Sequence, residues 1–157
     1  MTHDELDIAN ELRRARETRT PVGQLAERWG EISLRDAYRI QHALVCPPHV
    51  GSAGWEDADL AAPIAGYKLG LTSRAKMTQM GVSEPIYGLL AAGTELDDGG
   101  ELSRGAWIHP RVEPELAFVL DRGLYTEAGA HEAWRAVGYC CAAIEVLDSR
   151  YKDFKFG

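Results

Sequence analysis

Near the start of the chain apolar residues recur at helical spacing. Leu6, Ala9 and Leu12 share one face, with Ile8 and Ala15 beside them. That period predicts an amphipathic helix over residues 4–19, ended by Pro21. A second helix is predicted over residues 33–45. Ser33 is its cap, and Asp36 three residues on makes a weaker form of the capping box. Leu34, Ala37, Tyr38, Gln41, Leu44 and Val45 form its expected inner face. The next stretch, CPPHVGSAGWEDADLAA over residues 46–62, reads as a loop, with His49 exposed in it.

From Ile64 the pattern shortens to that of strands. IAGYKLGL is a strand carrying two glycines. SRAKMTQM is a short helix that Ser73 can cap and Gly81 can end. Strand-like pieces follow at residues 86–90 and 107–108, and RVEPELAFVL over 111–120 is the strongest strand. Residues 132–137 are helical in pattern. Residues 140–147 are a strand that ends in the polar turn DSRYKD. Helices first and strands later predict an α+β fold rather than a doubly wound sheet. The organisation expected is a helical region with its loop over 1–62 and a β-rich part over 63–157.

Composition narrows the classes. The 157 residues are 45% hydrophobic and 26% charged, which suits a globular domain and excludes a disordered or collagen-like chain. Lys and Arg number 17 against 24 Asp and Glu, a net charge of −7. A broad basic face for nucleic acid or an anionic membrane is therefore not expected, though a local site can still hold a small anion. Cys46, Cys140 and Cys141 have no framework spacing. The adjacent pair is expected to pack as small apolar core residues. No apolar run approaches the roughly 20 residues of a membrane span. The charged N-terminus is not a secretory signal, so a soluble cytoplasmic protein is the expectation.

The sharpest chemical feature is Glu113 and Glu115, two apart on the strongest strand and hence on one face. Ala117 and Val119 share that parity, while Leu116, Phe118 and Leu120 hold the other. The strand therefore looks buried on both sides, with the glutamates on its smaller-residue face. Burying two like charges is costly unless something pairs them. A divalent cation held by oxygen ligands, Mg²⁺ or Mn²⁺, meets that need. The alternative is two solvent-facing glutamates on an edge strand, with Pro114 keeping the edge unpaired. Glu145 lies within AAIEVL, another apolar strand, and would make a three-carboxylate site. Asp148 and Arg150 follow, either gripping a carboxylate or closing a simple turn. In GYKLGLTS, Lys68 stands between Gly66 and Gly70. It is either a proton donor or acceptor beside a ligand, or a lysine snorkelling from an edge strand. Thr72 and Ser73 either touch a ligand or cap the next helix. No Ser-His-Asp pattern, phosphate loop or CxxC zinc spacing is present.

Four stretches in order, GYKLGLTS, AKMTQMGVSEPIYGLL, IHPRVEPELAFVL and EVLDSRYKDFKF, resemble a known family. It is the hydratase/decarboxylase branch of the fumarylacetoacetate hydrolase superfamily, the 2-oxopent-4-enoate hydratases and 4-oxalocrotonate decarboxylases of aromatic meta-cleavage pathways. SRYKDFKF and AKMTQMGVSEPIYG look closer to the decarboxylases. The resemblance implies a mixed β-sheet or β-roll after the N-terminal helices, and makes 63–157 the first part of the catalytic domain. It implies one Mg²⁺ or Mn²⁺ held by Glu113, Glu115 and Glu145, and Lys68 as the active-site lysine. It implies a small 2-oxo dicarboxylic acid as substrate, and Thr72, Ser73, Asp148 and Arg150 are the residues whose chemistry and position make them candidates to bind it. It implies a homo-oligomer that associates with its partner hydratase or decarboxylase. Family members continue well past the SRY motif, so a chain stopping at Gly157 is expected to lack the part that closes the β-roll. Three readings follow: a metal-dependent decarboxylase, the related hydratase, or an inactive or partner-binding remnant.

Overall fold

The structure is a computed structural model and describes residues 3–46, 64–125 and 127–155. The chain forms two compact units, Met1–Ile108 with Arg150–Gly157, and His109–Ser149.

In the larger unit α1 (His3–Thr18) and α3 (Leu34–Val45) pack together, with the short α2 (Ala26–Trp29) between them in sequence. Ile8, Ala9, Leu12, Leu25, Ile40 and Ala43 form the buried core, and Val22, Ile32, Leu44 and Tyr151 pack on it. The α1 face is the one its period predicts. In α3 the expected face is displaced: Ile40 and Ala43 are buried, whereas Leu34 is 55% exposed. The reason is that α3 serves two neighbours. Ile40 and Ala43 meet the helical core, while Tyr38 and Gln41 turn to a strand. Ser33 caps α3 as expected, its hydroxyl accepting from Asp36 N at 3.2 Å. Glu5, only 5% exposed, is held by Arg39 of α3 at 3.4 Å.

The strand beside α3 is β2 (Ile86–Ala91), which pairs antiparallel with β1 (Ile64–Gly70). Gln41 donates to Tyr87 O at 3.2 Å and accepts from Leu89 N at 3.1 Å, so its amide stands in for a further strand. The Tyr38 and Tyr87 rings stack with centroids 4.2 Å apart. A helix thus covers a strand edge that would otherwise invite pairing. Between the strands lies α4 (Arg74–Met80), capped by Ser73, whose hydroxyl accepts from Lys76 N at 3.2 Å. Gly81 ends it at φ 69°, as the sequence suggests. The strand expected at 107–108 does not form: a 3₁₀ turn at Arg104–Ala106 runs into bends there. The tail returns to this unit, where Val22 N donates to Arg150 O and Lys152 N donates to Val22 O, both at 2.8 Å.

The smaller unit is a long antiparallel hairpin of β3 (Arg111–Leu120) and β4 (Val137–Leu147), with α5 (Ala130–Ala136) before β4. Here two expectations are corrected. β3 is not buried on both sides: Val112, Leu116 and Phe118 are exposed, and among the described residues of this unit only Ala136 is buried. Cys140 and Cys141 are likewise exposed rather than core residues. Apolar pattern reports which side chains favour burial, while burial itself needs a second layer. The fold is α+β with N-terminal helices and small sheets. The described residues form two antiparallel two-stranded sheets. The loop expected at 46–62 lies outside the described residues except for Cys46, which is buried at the end of α3.

Candidate metal centre

The β3–β4 register places the glutamates. Glu113 pairs directly with Glu145, and Glu115 pairs with Ala143. Directly opposed residues of an antiparallel pair share a face, and alternation brings Glu115 onto it as well. That face continues through Ala117 opposite Cys141, so small side chains surround the carboxylates. The opposite face carries Val112, Leu116, Phe118 and Ile144. Carboxylate oxygens of Glu113, Glu115 and Glu145 all lie within 4.8 Å of one another. Glu113 and Glu115 are exposed and Glu145 half-buried, so a cation from solvent has direct access. Two like charges directly across a ladder weaken it, whereas a hard divalent cation takes several carboxylate oxygens at once. The donor set therefore fits such an ion.

At the open end of the hairpin, beyond the last rung Arg111–Leu147, the Asp148 carboxylate accepts from the backbone N–H of His109 at 2.8 Å. Asp148 thus has a backbone partner that sequence spacing did not reveal.

The other expected residues lie in the larger unit. Lys68 is half-buried in β1, opposite Gly88 of β2. A Cβ at residue 88 would stand 2.9 Å from Lys68 Cγ and 3.1 Å from its Cε, so the lysine stem crosses the strand where Gly88 leaves room. The signal for it in the sequence is Gly88 itself, since a glycine inside a strand marks such a close approach. The chain leaves β1 through Leu71 at φ 57°, a left-handed conformation that costs a leucine about 1–2 kcal/mol. Thr72 follows on the surface, and Ser73 is used as the α4 cap. Arg150 is half-buried and anchored through its carbonyl to Val22. Its neighbour Tyr151 packs on the helical core. Burial pushes the Tyr151 phenol above its ordinary value, Arg150 pulls it down and Glu11 raises it.

No family model matches the chain. It is 39% identical to a 4-oxalocrotonate decarboxylase of Pseudomonas sp., in an alignment spanning 80% of this chain and 45% of that protein. It is 34% identical to a 2-keto-4-pentenoate hydratase of Paraburkholderia phymatum, over 94% of this chain and 53% of the relative. The fold is similar to the 4-oxalocrotonate decarboxylase of Pseudomonas putida G7 solved with magnesium and adipate. The TM-score is 0.83 at 32% identity, over 99% of this chain and 57% of that one. The chain spans about half the length of the curated relatives it matches.

Proposed function

The chain is a relative of the 4-oxalocrotonate decarboxylases and 2-keto-4-pentenoate hydratases, and on that premise we propose that it carries the metal-holding part of a lyase acting on a 2-oxo acid. The reaction it fits best is decarboxylation of 2-oxohex-3-enedioate (4-oxalocrotonate) to 2-hydroxypenta-2,4-dienoate, a step of aromatic meta-cleavage catabolism. The observation that carries this reading is the convergence of Glu113, Glu115 and Glu145 on one face of one hairpin.

Those three carboxylates would hold one Mg²⁺ or Mn²⁺. When bound, such an ion supplies Lewis-acid polarisation of a substrate 2-oxo group. The reaction breaks the C–C bond to the distal carboxylate and releases CO₂. The electron pair runs through the conjugated chain to the 2-oxygen, which gains a proton to give the dienol. Lys68, assigned on resemblance, would supply that proton or stabilise the charge growing on the oxygen. Arg150 and Thr72 would bind the substrate's carboxylates, with the planar guanidinium suited to a bidentate grip. Ser73 and Asp148, expected beside them, have backbone partners that fit positioning roles. On the same resemblance the active protein is a homo-oligomer with a β-roll of the fumarylacetoacetate hydrolase type, associating with its partner hydratase.

A second reading has support from the hydratase relatives. The same carboxylates would serve addition of water to the dienol, giving 4-hydroxy-2-oxopentanoate. Two experiments test the proposal. Mg²⁺ at about 100 times its dissociation constant should stabilise the chain by about 2.7 kcal/mol in a thermal melt. Glu113→Ala and Glu145→Ala should abolish that shift, and a melt indifferent to Mg²⁺ would overturn the metal centre. Mg²⁺-dependent CO₂ release from 2-oxohex-3-enedioate, lost in Glu113→Ala, identifies the decarboxylase; hydration of the dienol without gas identifies the hydratase.

A further inference from the structure

We infer that Asp148 is a positioning residue for the three-carboxylate centre, acting through the His109 backbone rather than through its charge. The inference rests on the metal-centre reading above. Glu113 and Glu145 oppose each other near the open end of the hairpin, two residues in from the last rung, Arg111–Leu147. Their mutual repulsion acts at the end of the ladder where strands most readily fray. Beyond that rung the next residue of β3's lead-in is Pro110, which has no N–H to extend the pairing. His109 is the first residue outward that does. The Asp148 carboxylate takes that N–H at 2.8 Å and carries the pairing one step past the proline. The bond is part-buried, where water competes less for the donor. With the mouth closed, Glu113 and Glu145 stay opposed before any cation arrives, so less ordering remains to offset binding. Without that bond the end of the hairpin is held less firmly and the donor set is less ordered.

The decisive property is hydrogen-bond acceptance. An asparagine side chain keeps an acceptor oxygen of the same reach and loses the charge. The test is Mn²⁺ binding followed by electron paramagnetic resonance on the 157-residue chain, comparing wild type, Asp148→Ala and Asp148→Asn. The expected result is about tenfold weaker binding in Asp148→Ala, the size of effect one such bond gives. Asp148→Asn should stay within about threefold of wild type. Hydrogen exchange of the His109 amide should be slow in wild type and Asp148→Asn, and fast in Asp148→Ala. Unchanged Mn²⁺ affinity in Asp148→Ala would overturn the inference. So would equal loss in both variants, which would show that the charge itself acts on the ion. If Asp148→Ala does not fold, Asp148→Asn still decides, because loss of affinity there contradicts the proposal. Failure of the underlying reading looks different: wild type itself would not bind Mn²⁺, or Glu113→Ala would bind it equally well.

Discussion

Cys46 closes α3 in a buried position, and burial pushes its thiol above the ordinary value of 9.0. The folded chain therefore keeps this proton more tightly than the unfolded chain does. The resulting stabilisation is whole below that ordinary value and is lost as pH rises through the raised one. Reactivity follows the thiolate, so Cys46 is doubly protected, by enclosure and by protonation. Cys140 and Cys141 are exposed and lack that enclosure. A thiol titration with Ellman's reagent at neutral pH should find two fast thiols and a third that reacts only on denaturation. Three fast thiols would place Cys46 at the surface. The pairing of Glu5 with Arg39 belongs to the same scale. A carboxylate inside a helical core is tolerated because a guanidinium from the facing helix reaches it.

Single elements depend on two glycines for opposite reasons. At Gly81 the backbone is left-handed at φ 69° and nothing lies within 4 Å of a built Cβ. Gly81→Ala should cost about 1 kcal/mol through conformation alone, read as a lower urea midpoint with an unchanged slope. Asparagine there should cost less, because it tolerates that region. At Gly88 the backbone makes no such demand, and the obstacle is the Lys68 stem. Gly88→Ala should leave overall stability nearly unchanged, since alanine in a strand offsets some strain. It should instead displace Lys68. Reductive methylation of Lys68 relative to Lys76 should change in rate, and an unaltered ratio would show that the stem adapts in place.

At the scale of the whole molecule the two units differ in what stabilises them. The larger one has a helical core, including Ile8, Leu12, Leu25 and Ile40. The smaller is a hairpin with one flanking helix, and Ala136 is its only buried residue among those described. A hairpin with so little burial is marginal by itself. Its apolar face, with Leu116 at 66% and Ile144 at 74% exposed, contributes little to stability as it stands. On the proposed function, a cation held by Glu113, Glu115 and Glu145 would add stability to this unit. Amide exchange in β3 and β4 should be fast without Mg²⁺ and slow several-fold with it, while amides of α1 and α3 stay unchanged. Equal slowing in both units would mean that the chain folds as one cooperative body.

Local chemistry was legible in the order of residues. The α1 period, the serine caps of α3 and α4, the Gly81 stop and the bounds of β3 all depend on neighbours within a few positions. The placement of Glu113 and Glu115 on one face follows from strand alternation. The relatives' kinship was legible too, because it resides in contiguous motifs. Tertiary structure alone decided what depends on distant partners. The register brought Glu145 opposite Glu113, and Asp148 reached back to His109 across the mouth of the hairpin. Gln41 turned α3 toward β2 and so displaced its buried face to Ile40 and Ala43. The exposure of β3, Cys140 and Cys141 also escaped the pattern. A side chain's preference for burial is a property of the residue, whereas its burial is a property of whatever packs against it.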